Sequence, residues 1–171
     1  GDRMHIECEI PARGLIGLRS HMLTATSGEA VMYHCFHKYA PVRTTLYRRA
    51  NGVLIATAPG QATTYAMLNI SQRGVLFVEP QEVIYGGQIV GENSRDNDLE
   101  VNVVKGKAFS NVREANKEAT TVLKASREIT LESALEYIQD DELVEITPDN
   151  IRIRKTELSE SKRKQIARKN K

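Results

Sequence analysis

Four turn signals punctuate the middle of this chain and leave only short pieces between them. Asn51-Gly52, Pro59-Gly60, Arg73-Gly74 and Gly86-Gly87 each place a glycine where the backbone must reverse. The stretches they bound, 53–57, 63–70, 75–78, 83–85 with 88–92, and 99–104, are candidates for short strands. Strands at this spacing predict a compact sheet or β-barrel-like unit. Leu131, Leu135 and Ile138 share one helical face, with Thr130 as a suitable N-cap and Glu132 near the positive end. One helix is therefore expected to cover the sheet. Two further strands, 144–146 and 151–153, are joined by the turn Thr147-Pro148-Asp149-Asn150. Ile151 and Ile153 alternate with Arg152 and Arg154, so the last strand has one apolar and one cationic face.

The N-terminal region has a different rhythm. Met4, Ile6, Cys8 and Ile10 alternate with polar residues, the period of a strand with one buried face, until Pro11 and Gly14 end it. Leu15, Leu18 and Met22 recur at helical spacing and Gly28 suits a C-cap, so a helix near 14–26 follows. A second strand is expected at 31–37. Strand, helix, strand is half of a ferredoxin-like split βαβ unit. Residues 41–51 read as a linker, and 171 residues suffice for two small domains.

Between 104 and the helix at 130 lies a connection several times the usual four to six or so residues, and long loops of that kind carry function or stay disordered. Its front half, 105–113, holds Lys105, Lys107 and Arg113 and no acid, with Gly106 to let the backbone come close and Phe109 to stack on a base. Glu114 and Glu118 dilute the charge beyond it. The net charge of +2 also conceals an asymmetry: from Arg152 onward there are nine basic and two acidic residues, against 15 basic and 20 acidic before it. A basic tail on an acidic body suits an RNA anchor. Ile166 is the only large apolar residue after Ser159, so residues 159–171 are expected to be mobile or to fold on a partner.

Other chemistries lack their residues. Gly86 and Gly91 have P-loop spacing, but Glu92 and Asn93 stand where Lys and Ser or Thr are required. Asn93-Ser94-Arg95-Asp96 has the outline of a guanine-reading motif without its lysine. The segment 93–98 reads first as a turn held by local hydrogen bonds, with Arg95 as a candidate RNA contact. Asp140, Asp141 and Glu142 are consecutive; adjacent carboxylates on a helix rarely converge on one metal, so the three read as a solvated helix end. His5, His21, His34 and His37 have no metal-site spacing, and Cys8 and Cys35 are expected to be buried, reduced thiols. No run of about 18 apolar residues and no export signal is present, which predicts a soluble cytoplasmic protein.

Five blocks carry a family resemblance: IPARGLIG at 10–17, LTATSGEAVMYH at 23–34, NSRDNDL at 93–99, VVKGKAFSNVR at 103–113 and ALEYIQDDELVEITPDNIRIRK at 134–155. In this order they resemble the C-terminal part of the TypA/BipA family of ribosome-associated translational GTPases. The resemblance implies an α+β fold. Residues 1–45 would be the second half of a ferredoxin-like domain similar to the last domain of elongation factor G, and 46–158 the family's strand-rich C-terminal domain. The strand between the two in 1–45 would precede Gly1, so that region is expected to be incompletely covered. GTP hydrolysis, with GTP and magnesium, would belong to an absent N-terminal portion, leaving no catalytic, nucleotide or metal residue here.

The resemblance also implies that the loop reaches the peptidyl-transferase region of the large subunit and the acceptor end of A-site tRNA. That assigns RNA contact to Lys105, Lys107, Ser110, Asn111 and Arg113. Arg95, Arg152, Arg154 and Lys155 join them as cationic candidates. The expected function is ribosome binding, through rRNA and tRNA, for a GTPase of stress-related translation and large-subunit assembly. An interaction or oligomerisation module without RNA contact is the alternative, and a small metal-dependent hydrolase the remoter one.

Overall fold

The computed structural model describes residues 4–42, 49–106 and 123–169. The chain divides into two units, Gly1–Arg48 and Arg49–Lys171.

In the first unit a 3-10 turn, Ala12–Leu15, leads into helix α1, Leu18–Ala25. Gly28, at φ +90°, ends it by donating to the Leu23 carbonyl at 2.7 Å, the glycine stop predicted. The flanking stretches are not strands: no strand occurs among the described residues of this unit. Their alternation is real, but a strand is defined by the neighbour its amides bond to. Met4 and Tyr33 are 86% and 91% exposed. The thiols of Cys8 and Cys35 are exposed rather than buried, a correction with the same cause, since no layer lies over the residues that flank them. His37 and Lys38 both reach Glu9 at 3.0 Å.

The second unit contains strands β1 (Val53–Ala56) and β2 (Gly60–Gln61), helix α2 (Thr64–Ile70), and strands β3 (Gly74–Leu76), β4 (Val83–Ile84), β5 (Gln88–Asn93) and β6 (Leu99–Val101). Helix α3 (Leu131–Tyr137), the hairpin β7 (Glu142–Ile146) and β8 (Ile151–Lys155), and helix α4 (Glu160–Lys169) follow. The main sheet runs β6-β1-β5-β8-β7, with β3 also paired to β5, and β2 and β4 form a separate ribbon. Among the described residues only the β1–β6 pair is parallel.

Strand β1 is buried at all four positions because the sheet has two covered faces. Leu54 and Ala56 pack with Met67 and Ile70 of α2, while Val53 and Ile55 pack with Ala134 of α3. Gly52 is required where β1 begins, since a Cβ there would stand 2.2 Å from the Asn97 backbone.

Two expectations fail here. Thr64–Ile70 is helical, not extended: Thr63, the N-cap, accepts from the Ala66 amide, and Ala66, Met67 and Ile70 form one buried stripe. The tail is helical over Glu160–Lys169 where, without a partner, a mobile segment was expected. Its order comes from Arg163, whose guanidinium donates to the Glu157 and Leu158 carbonyls at 2.8 and 2.7 Å and to Glu100 at 2.5 Å.

Candidate nucleic-acid interface

The loop leaves the body at Lys105, and one residue holds that exit. Thr63 donates its amide to the Val103 carbonyl at 2.9 Å and its hydroxyl to the Lys105 carbonyl at 2.6 Å. The same oxygen accepts from Ala66, so the N-cap of α2 and the loop stem share one side chain. Lys105 and Gly106 are exposed. On the return side the Arg127 amide donates to Leu76 at 2.8 Å. Its guanidinium pairs with Glu92 at 3.1 Å and lies 4.7 Å over the Phe77 ring. The front end of the connection is thus fastened to the N-cap of α2 and the return end to β3 and β5. Lys107, Ser110, Asn111 and Arg113 lie outside the described residues.

Arg95 is exposed at the tip of a turn built by its neighbours. Asn93 donates to the Asn97 carbonyl at 2.6 Å, Asp98 accepts from the Val53 amide at 3.0 Å, and the Arg95 carbonyl accepts from Gly52 at 2.8 Å. Local bonding accounts for only part of the segment 93–98, contrary to expectation, since Gly52, Val53 and Arg73 supply its other bonds; the Arg95 side chain is exposed.

The three cations at the end of β8 do not act together, because successive residues of a strand face opposite ways. Arg152 and Arg154 stand across from Glu145 and Leu143 on one face, partly buried. Tyr85 donates to Glu145 there, and burial, then that carboxylate, pushes its hydroxyl above the ordinary tyrosine range. The buried Arg152 Nε lies 3.9 Å from Glu82, an ion pair too long for a hydrogen bond.

Lys155 is on the other face and is 3% exposed. Its ammonium meets Asp98, Asp141 and Glu142 at 2.7, 2.8 and 3.0 Å. Arg49 closes this cluster with two bonds to Glu142, at 2.6 and 2.5 Å, and stacks 4.5 Å from the Tyr137 ring. Burial by itself would lower the Lys155 pKa, but the bonds to Asp141 and Asp98 and the charge of Glu142 outweigh it, and the net shift is upward. Lys155 therefore holds the fold together rather than facing a phosphate. Glu142, expected at a solvated helix end, is the fully buried hub. No sequence signal marked Arg49's bonds to Glu142 or Thr63's hold on Lys105, since both act across long chain separations.

No group of three or more His, Cys, Asp or Glu among the described residues is placed to hold a metal. No helix among them is long and apolar enough to cross a membrane.

Comparison with known proteins matches residues 51–160 to the TypA/BipA C-terminal domain and residues 1–50 to the elongation factor G C-terminus. Three similar proteins share one name, large ribosomal subunit assembly factor BipA. That of Bacillus subtilis is 45% identical over 95% of this chain and 27% of its own length. That of Synechocystis is 47% identical over 90% and 26%, and that of Escherichia coli K12 is 44% identical over 97% and 28%. The chain thus spans little more than a quarter of these relatives.

Proposed function

Because this chain belongs to the TypA/BipA family and carries its C-terminal domain, we propose that it binds the large ribosomal subunit through RNA phosphates during subunit assembly. It would do so in the cytoplasm on behalf of a GTP-hydrolysing protein whose nucleotide chemistry lies elsewhere. The observation that carries this reading is the name shared by relatives 44–47% identical over 90–97% of the chain. The geometry supports it: a loop with a cationic front half leaves a stem clamped by Thr63, and binding function sits well on loops presented by a rigid scaffold. Lys105, Lys107, Ser110, Asn111 and Arg113 would meet rRNA and the acceptor end of A-site tRNA, with Arg95, Arg152 and Arg154 as outlying contacts.

Co-sedimentation with purified 50S and 70S particles across a salt series tests it. With three to five phosphates engaged, log affinity falls against log salt with a slope of roughly −2 to −4.5. Deletion of 105–113 should abolish most binding while the circular dichroism stays native. Absence of binding at low salt would defeat the reading. A second reading, self-association, has its own observation in the exposed apolar side chains of the first unit, among them Met4, Tyr33 and Phe36. Salt-insensitive dimerisation without particle uptake would establish it instead.

A further inference from the structure

Helix α4 has cations where a buried helix would have a core. Lys162, Arg163, Lys164, Arg168 and Lys169 occupy half of its ten positions, against Glu160 alone. At about 100° per residue, Lys164 and Arg168 stack on one ridge and Lys162 and Lys169 on another, while Arg163 points between them to the opposite side. Arg163 is the mount. Its bonds to Glu100 and to the Glu157 and Leu158 carbonyls tie the first turn to β6 and to the segment that follows β8. That lead-in is itself seated, since Gly87, at φ +86°, leaves room for Leu158, whose Cα a side chain at 87 would meet at 2.7 Å.

The remaining four charges are exposed. Arg168 and Lys169 make no ion pair with any described residue. Lys164 pairs with Glu160 and Lys162 lies 3.8 Å from Glu157, exposed pairs of a kind that contribute little and yield readily to a phosphate. Ile166 is the helix's only large apolar side chain, so α4 lacks the apolar face that a membrane-surface helix or a helix-in-groove partner requires. A polyanion fits it and an apolar partner does not.

We infer that α4 is a second, rigidly mounted phosphate-binding element that takes an RNA backbone through Lys162, Lys164, Arg168 and Lys169, independently of the 105–113 loop, with Arg163 as its positioning residue. The choice of RNA rests on the ribosome-binding reading above. Residues of this kind placed on one solvent-facing arc reach phosphates on successive turns without reading bases, so the contact is sequence-independent.

The test compares the native chain, a variant with all four cations changed to Gln, and Arg163→Gln, each against 50S particles and against protein-free 23S rRNA over a salt series. The fourfold variant is expected to bind both probes about tenfold or more weakly at 0.1 M salt, with the salt slope reduced by about two to three. Arg163→Gln, which keeps all four charges but frees the helix, should weaken binding with a much smaller change of slope. Replacing the same lysines by Arg, leaving Arg168 in place, should restore binding. Unchanged affinity and slope in the fourfold variant, with particle binding intact, would overturn the inference and leave the ribosome reading standing. Binding to rRNA that depends on α4 while 50S particles are ignored would sustain the helix and sink the ribosome reading. If the native chain ignores both probes, both fall.

Discussion

The end of β8 and helix α4 stand only a few residues apart, and both are rich in Lys and Arg, yet their charges serve opposite ends. Lys155 is buried among Asp98, Asp141 and Glu142, whereas Lys162, Lys164, Arg168 and Lys169 face solvent. Strand parity and acid supply make the difference. Lys155 shares its face with Ile151 and Ile153, and the facing residue across the hairpin is Glu142. A cation delivered there must be paired or the site would be too costly to desolvate. On α4 the helix angle spreads the charges, and Arg163 alone finds interior acceptors. Charge count therefore says nothing of role until the facing residues are known.

Removal of Lys155 is the hardest blow to this contrast. Lys155→Ala leaves carboxylates uncompensated around a buried hub, and equilibrium denaturation should show a loss of about 3–5 kcal/mol. Lys169→Ala in the same assay should stay within about 0.5 kcal/mol. Equal losses would erase the distinction drawn here. Lys155→Met with Glu142→Leu should not recover the stability, because it strands the Arg49 guanidinium that Glu142 also pairs.

Alkaline pH sharpens the same point. The folded pKa of Lys155 is raised above its ordinary 10.5, and burial raises Tyr85 and Tyr137 above 10.0. Each group holds its proton more tightly when folded, so its stabilisation is complete below the ordinary value and disappears as pH rises through the folded one. Denaturation midpoints should accordingly fall above about pH 10, and Lys155→Met should flatten that limb. A fall of equal steepness in the variant would assign the effect to the tyrosines alone.

Thr63 offers a smaller effect with a diagnostic pattern. Thr63→Val removes both the cap and the stem bond, costing about 1 kcal/mol and speeding amide exchange at the stem, 103–106. Thr63→Ser should restore both. Thr63→Asp, an acceptor but no donor, should restore the cap while the stem still exchanges quickly. If stem exchange follows helix stability in all three, the clamp on Lys105 has no separate role. The smallest effect belongs to Glu160→Gln: Lys164 holds that carboxylate below its usual range, but the pair faces solvent, and the unfolding midpoint should not move.

Much of this arrangement was legible in the chain. The glycine-marked turns bound β1, β3 and β5, and Thr130 caps α3 as its residue type requires, with Ser133 completing the box. The face expected from Leu131, Leu135 and Ile138 is not the buried one, since Leu131 and Leu135 are exposed, Ile138 lies beyond the last turn, and Ala134 meets the sheet. The stretch 63–70 misled because Thr, Tyr and Ile suit strands, whereas Ala66, Met67 and Ile70 at helical spacing and a Thr cap were the stronger pair of signals. The loop's cations were visible too, but not the clamp at their base, since Thr63 and Lys105 are 42 residues apart.

The amino-acid order by itself determined local matters: where the chain turns, which helix ends are capped, that the last segments are cationic, and which family the chain joins. Tertiary structure alone decided which cations are spent inside and which are left outside. Pairing a charge depends on distances set by sheet register and by a side chain such as Arg49, 93 residues from the Glu142 it binds. Coulomb attraction acts through space and burial, and neither is written along the chain.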